Sequence, residues 1–280
     1  MDHKVGLVIK YFIIEDIIII GESRTDDISS VEKEINTHKP THIMTFVGRT
    51  HGEGINTIDY LEKPGKLKDN IRDNLFSQIS IALLVNTYNI HYLCFGTGCI
   101  FEDYTDQPIF DENSEPNFFG SSYSTVKGFT DRLLHQHPFN KCVLNVRIRM
   151  PITADFHPRN FITKIINYEK VCSFPNSMTV LPELLPLMID MARRKEVGTI
   201  NLTNPGSISH EEILNMYKEI INPEFKYTLF SLEDQTKILA SGRSNNHLNT
   251  TKLETMYPEV LNIKDAVRKA IYGMKEHYNR

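Results

Sequence analysis

The 280-residue chain lacks the features that mark membrane, secreted or nucleic-acid-binding proteins. No apolar run approaches the roughly 20 residues that a membrane-spanning helix needs. The early stretch Ile17 to Ile20 is interrupted on its amino side by Glu15 and Asp16, and no small-residue cleavage site follows it. The four cysteines, Cys94, Cys99, Cys142 and Cys172, form no CxxC pair, so reduced thiols in a cytoplasmic protein are the expectation. A net charge of -4 and a pI of about 6.3 give no basic excess, which excludes a general nucleic-acid binder. The eleven histidines show no ligand spacing; His135 and His137 fall on different helix faces, and no metal site is expected. Repeats and low-complexity tracts are absent.

What is present is an alternation of short apolar runs with helical patterns. Ile17–Gly21, Thr41–Val47, His91–Gly96, Cys142–Ile148 and Val197–Leu202 read as buried strands. Ser29–His38, Leu67–Asn89, Tyr123–His135 and Ser209–Ile220 read as helices. Strands separated by helices of this length predict βαβ units and a parallel sheet covered on both faces. The fold class is therefore α/β, a Rossmann-type doubly wound parallel sheet. After Met150 prolines become frequent. Residues 1–150 are read as the dinucleotide-binding domain and 151–280 as mainly a smaller substrate-binding lobe, interleaved with the last strands. Ligands of such sheets bind beyond the carboxyl ends of the strands, which directs attention to Gly48–Gly54, Thr97–Phe101 and Met150–Arg159.

Tyr123 and Lys127 form a Y-x-x-x-K pair, and positions i and i+4 share one helix face. An ammonium beside a phenol favours the phenolate, so the pair predicts a tyrosine of lowered pKa that protonates a carbonyl oxygen as hydride arrives. Among twelve tyrosines Tyr123 alone has Lys at +4, although roughly half a match is expected by chance; a surface helix pair is the alternative. Thr97, just past a strand, offers a second hydroxyl to the same oxygen or is a plain turn residue. Cys99 is a candidate acid or base or an inert small hydrophobe. Lys164 is a second proton-transfer group or a solvated helix lysine. Arg147, Arg149, Arg159 and Arg243 are candidates for diphosphate recognition, each with an ordinary salt bridge as its alternative. Arg24, following a strand, either meets an adenosine 2′-phosphate or lies on the surface.

These residues sit in longer motifs: GTGCIFE (Gly96–Glu102), PNFFGSSYSTVKG (Pro116–Gly128), RIRMPI (Arg147–Ile152), HPRNFITKI (His157–Ile165), PNSMTVLPELLP (Pro175–Pro186), NLTNPGSISHEEIL (Asn201–Leu214) and RSNNHLNTTKL (Arg243–Leu253). From about Arg24 onward the chain resembles the bifunctional UDP-4-keto-6-deoxy-D-glucose 3,5-epimerase/4-reductase of UDP-L-rhamnose synthesis. That family lies in the extended short-chain dehydrogenase/reductase superfamily, near the dTDP-4-dehydrorhamnose reductases. The resemblance implies that Thr97, Tyr123 and Lys127 are a reductase triad, with Cys99 and Lys164 the epimerase pair. It places Gly48, Arg49, Thr50 and Asn74 with Tyr123 and Lys127 on the cofactor side, to which the strand-end position of Arg24 adds. Arg159, Asn160, Asn176, Met178, Arg243 and Asn246 fall on the nucleotide-sugar side. It further implies NADPH, with NADH the alternative, a UDP-4-keto-6-deoxy sugar as substrate and, by analogy, a homodimer; if the source is viral, the compartment is the host cytosol.

One family feature is missing. The strand and GxxGxxG turn that let backbone approach a cofactor pyrophosphate have no counterpart in MDHKVGLVIKYFIIEDIIIIGESR. Gly6 reads as the last glycine of that loop and Leu7 to Ile14 as the following helix, so the first strand and the loop read as truncated by roughly ten residues. Two alternatives to the bifunctional enzyme follow. One is a reductase acting on an already epimerised nucleotide sugar; the other is a cofactor-deficient nucleotide-sugar-binding relative.

Overall fold

In the computed structural model, which describes residues 10–14, 17–103 and 109–278, the apolar runs become the strands of one central sheet. The elements are β1 (Lys10–Ile14), β2 (Ile17–Ile20), α1 (Ile28–His38), β3 (His42–Thr45), α2 (Leu67–Ile71), α3 (Ser77–Tyr88), β4 (His91–Thr97), α4 (Ser122–Leu134), β5 (Val143–Ile148), α5 (Phe161–Ile166), β6 (Val171–Cys172), α6 (Leu181–Arg193), β7 (Gly198–Asn201), α7 (His210–Ile220), β8 (Leu229–Phe230), α8 (Leu232–Ile238), α9 (Thr251–Met256) and α10 (Ile263–Tyr278). The sheet has the order β2-β1-β3-β4-β5-β7, and β6 and β8 form a second, two-stranded parallel sheet. Alternate residues of β3, β4 and β5 pack on opposite layers. Ile43, Tyr92, Cys94 and Val143 meet Val31, Ile35, Ile81 and Val85 of α1 and α3. Met44, Leu93, Leu144 and Val146 meet Leu184, Met188 and Met191 of α6. Both faces of the sheet are thus dry, which is why these strands are continuously apolar.

From β3 to β7 the pairing is parallel throughout. The expected helix over Leu7 to Ile14 is not formed where it is described: Lys10–Ile14 is a strand, antiparallel to β2 on one side and to β3 on the other. The physical reason lies in KYFII and IIII, whose aromatic and β-branched residues favour a pleated surface over a helix. Residues 1–9, including Gly6, lie outside the described residues. Ile17–Ile20 is an edge strand rather than a fully buried one, for Ile20 is 62% exposed. Because β2 is antiparallel to β1, it runs in the same sense as β3, and its carboxyl end lies at the same edge as those of β3, β4 and β5.

A third core, outside the sheet, gathers Ile152, Ile162, Val180, Ile208, Leu214 and Ile271 among others. Ser209 caps α7 through a reciprocal capping box with Glu212, which fixes where that helix begins. The two halves of the chain are tied together by β7, which completes the main sheet beside β5.

Beneath the carboxyl edge lies a buried ion pair. Arg147 of β5 is fully buried, and its Nε and Nη2 donate to Asp131 of α4 at 2.9 and 2.7 Å. Asn145 Nδ2 donates to the same carboxylate at 2.7 Å. Asp131→Ala strands a buried guanidinium, and a loss of about 3–5 kcal/mol is expected, to be read as a lowered midpoint in urea unfolding with an unchanged slope.

Candidate active site

The crevice is lined by the segments that leave β2, β3, β4 and β5 at their carboxyl ends. After β3, Asn74, fully buried, holds the Gly48–Thr50 segment: Arg49 N donates to Asn74 Oδ1 at 2.8 Å and Asn74 Nδ2 donates to the Arg49 carbonyl at 2.9 Å. Asn74 lies in a π-helical turn, Arg72–Phe76, between α2 and α3, and such turns cluster at functional positions. Arg49 pairs with Asp73, and Arg24 reaches the same carboxylate at 4.0 Å while pairing with Asp26 at 2.9 Å. Burial pulls Asp73 upward, but Arg72 and Arg49 outweigh it and hold the carboxyl below its ordinary range. Arg24 is exposed at the carboxyl end of β2.

Ser121 caps α4, its hydroxyl accepting from Ser124 N at 3.0 Å. That start places Tyr123 in the first turn and Lys127 in the next. The Tyr123 hydroxyl interacts with the Thr97 hydroxyl and also feels Cys99. Cys99 N donates to Thr97 Oγ1 at 3.1 Å. Thr97, Cys99 and Tyr123 thus form one contact group at the end of β4. Lys127 stands behind it, 4% exposed, with Nζ donating to the Phe95 carbonyl at 2.7 Å and to Gln78 Oε1 at 3.2 Å.

The expectation of a lowered tyrosine pKa is corrected here. Burial raises the Tyr123 hydroxyl well above an ordinary phenol, with Cys99 adding to the rise and Thr97 opposing it. Burial likewise lowers Lys127 to about 8, against the pull of Cys94 and Asp131. The lysine directs two donors to Phe95 and Gln78, and burial keeps the phenol neutral.

A second group forms around the segment that follows β3. The segment after β3 turns back at Gly52, where Gly52 N donates to the Ile55 carbonyl at 3.1 Å and Ile55 N to the Gly52 carbonyl at 2.9 Å. Glu53 and Gly54 take φ of 48° and 79°, the signature of a tight hairpin turn. The Tyr60 ring packs where a Gly52 Cβ would stand, 2.6 Å away. This turn presents His51 to three cations, Arg159, Lys164 and Arg49; burial first and these charges second lower its pKa. Burial, then Arg159, also lowers Lys164. Lys164 lines a cavity of about 320 Å³ with Asn56, Thr57, Pro158, Thr163, Asn167 and Tyr168.

The remaining expected substrate residues are placed differently. Arg159 is exposed beside this group. Asn160 is buried and caps α5, accepting from Ile162 N at 3.2 Å; it positions the helix that carries Lys164. Asn176 and Asn246 are buried in framework bonds, and Met178 lies wholly in the lobe core. None of these four offers an open side chain: the three asparagine amide nitrogens donate within the protein, Asn246 Oδ1 is buried without a partner, and Met178 is core. Arg147 is likewise spent on Asp131, which corrects its diphosphate candidacy. Arg243 pairs with Asp59 at 2.6 Å. Sequence reasoning missed Gln78 and His51; Gln78 sits four residues after Asn74, a helical spacing that could have revealed it. No cluster of metal-ligating side chains occurs among the described residues.

No family model matches the chain. It is 52% identical over 262 residues to a protein of Acanthamoeba polyphaga mimivirus, covering 92% of this chain and 90% of that one. The crystal structure of a UDP-rhamnose synthase from the same virus, also 52% identical, superposes with a TM-score of 0.87 over 90% of this chain and 89% of that one. An Arabidopsis thaliana bifunctional dTDP-4-dehydrorhamnose 3,5-epimerase/reductase is 41% identical, covering 90% and 83%. This chain belongs to the rhamnose-forming nucleotide-sugar epimerase/reductase family. Members of that family are enzymes. A dTDP-4-dehydrorhamnose reductase from Clostridium acetobutylicum, at 17% identity and a TM-score of 0.72 over 89% of this chain and 86% of that one, shares the Rossmann-type α/β fold. Among the described residues no helix is long and apolar enough to cross a membrane.

Asn74→Ala removes both bonds to the Arg49 backbone. Unpaired backbone groups cost about 1–3 kcal/mol, so amide hydrogen exchange at Arg49 is expected to accelerate by about tenfold or more, with the global unfolding midpoint moving less.

Proposed function

We propose that the chain epimerises UDP-4-keto-6-deoxy-D-glucose at C3 and C5 and then reduces C4, giving UDP-L-rhamnose. The observation that carries this reading is the Thr97–Cys99–Tyr123 group, in which a thiol and two hydroxyls converge at one strand end. The C3 and C5 hydrogens lie α to the C4 ketone. One member of the Cys99/Lys164 pair takes such a proton, the C–H electron pair becoming an enolate on O4. The other returns a proton to the same carbon from the opposite side, which inverts it. Thr97 and Tyr123 hydrogen-bond O4 while it carries this charge. At the reductive step Tyr123, neutral because its pKa is raised, gives its proton to O4.

The described residues suit a nicotinamide dinucleotide at its ribose end. An ammonium has three donors; Lys127 spends two within the protein, and the third serves a ribose hydroxyl. Arg24 and Arg49, both at Asp73, are the cations for the phosphates, and Arg24 favours the 2′-phosphorylated form. Such a cofactor supplies hydride to C4. One observation supports a second reading, an epimerase that holds the dinucleotide weakly: β1 runs antiparallel, so its carboxyl end lies at the opposite edge from the crevice.

Incubation with substrate and NADPH in D2O decides among these. Deuterium at both C3 and C5, with NADPH oxidised, is expected; exchange without oxidation favours the second reading, and neither sinks both. Cys99→Ser and Lys164→Ala should abolish the exchange, whereas Tyr123→Phe should retain it and slow oxidation by about 100-fold or more. The ammonium of Lys127 is present below its pKa and lost as pH rises through about 8. The oxidation rate is therefore expected to fall above pH 8 in a pH-rate profile.

A further inference from the structure

Two arginines stand two residues apart at the end of β5, and both are buried, Arg147 at 0% and Arg149 at 1% exposure. Their partners differ. Arg147 faces a carboxylate, Asp131. Arg149 has no carboxylate partner among the described residues. Its guanidinium donates only to neutral oxygens: Asn176 Oδ1 at 2.8 Å, the Ser244 carbonyl at 3.0 Å and the Asn246 carbonyl at 3.4 Å. Its Nε is buried and donates to nothing. A buried cation without a counter-charge is costly, and burial accordingly disfavours its charged form. An anion forming beside it would remove that cost.

The group able to become that anion is Cys99. The stem of Arg149 runs against the bare backbone of Gly98: a Cβ there would stand 2.8 Å from Arg149 Cγ and Cδ. Cys99 is the next residue. Among the described residues, Cys99 interacts electrostatically with Arg149, from the end of β5, and with Tyr123, from α4. The first is a cation and the second a neutral phenol. Cys99 is half-buried, within reach of the crevice.

We propose that Arg149 is a positioning residue that supplies the buried counter-charge for the Cys99 thiolate, and so lets Cys99 serve as one of the two proton-transfer groups, with Lys164 acting on the opposite face of the same sugar carbon. This rests on the epimerase reading of Cys99 above. When the thiolate takes the proton, the C–H electron pair passes into the enolate. Lys164 protonates the other face of that carbon, and when the thiol releases its proton to solvent the Arg149–thiolate pair is restored.

The rate of alkylation by iodoacetamide, measured against pH, tests the proposal in the full chain. Burial shifts the Cys94, Cys142 and Cys172 thiols upward, so reaction at neutral pH reads Cys99, and subtraction of the Cys99→Ser profile isolates it. Wild type and Arg149→Lys should react at pH 7, and Arg149→Met should react about tenfold more slowly, since one unit of thiol pKa is tenfold in thiolate. An unchanged profile in Arg149→Met overturns the proposal. If Arg149→Met does not fold, the wild-type profile decides: a Cys99 that reacts only where a free peptide thiol does overturns it as well. Should Cys99→Ser leave deuterium exchange intact while alkylation still depends on Arg149, the epimerase reading fails and the counter-charge stands.

Discussion

The donation from Lys127 to the Phe95 carbonyl joins α4 to β4 where both carry chemistry. Tyr123 lies one helical turn before the lysine and Thr97 two residues after the carbonyl, so one bond sets the distance between two hydroxyls on different elements. Gln78 reinforces it from α3: its Oε1 accepts from Lys127, while its Nε2 donates to the carbonyls of Val47 and Phe95. The ends of β3 and β4 and helices α3 and α4 are thereby fixed to one buried amine. That amine is dry enough to be lowered to about 8, which makes its charge both expensive and exact in position.

Around this point the protein distributes positive charge unevenly. Some cations are neutralised internally: Arg147 by Asp131 and Arg243 by Asp59. Others are not. Among the described residues Arg149, whose stem runs against Gly98, has neutral acceptors only, and Arg159 and Lys164 act on His51. The unneutralised set lies where the proposed chemistry makes enolate and thiolate and where a nucleotide diphosphate would arrive. A site that handles anions keeps its spare charge there and pairs it away elsewhere.

Much of this was legible in the chain. Short apolar strands alternating with longer amphipathic helices marked the parallel sheet, and Tyr123, Lys127 and Thr97 lay where strand ends and helical spacing put them. What was hidden depended on distant partners. Nothing near Arg243 points to Asp59, and nothing near Asn246 points to the Gly98 carbonyl that it bonds at 2.9 Å. The asparagines expected at the substrate are buried, with amide nitrogens that donate to nearby backbone in Asn160 and to distant segments in Asn176 and Asn246. Tyr123 reads as activated by Lys127 on spacing alone, yet the ammonium turns toward Phe95, a contact set by packing. The apolar run around Lys10–Ile14 fits either a helix or a strand by periodicity, since short apolar segments do not separate the two.

The β1–β2 pair has a different topology from everything after it. Its strands are nearly adjacent in sequence and meet as a hairpin, whereas β3, β4, β5 and β7 are joined by long crossovers. A local pair closes quickly, while non-local pairing pays loop closure first. The hairpin is therefore able to form on its own and then dock on β3, whose outer edge it covers. Until it docks, β3 presents a row of unpaired amides and carbonyls, a template for another strand. Lys10–Ile14 and Ile17–Ile20 thus cover an edge of β3 that would otherwise be open to another chain.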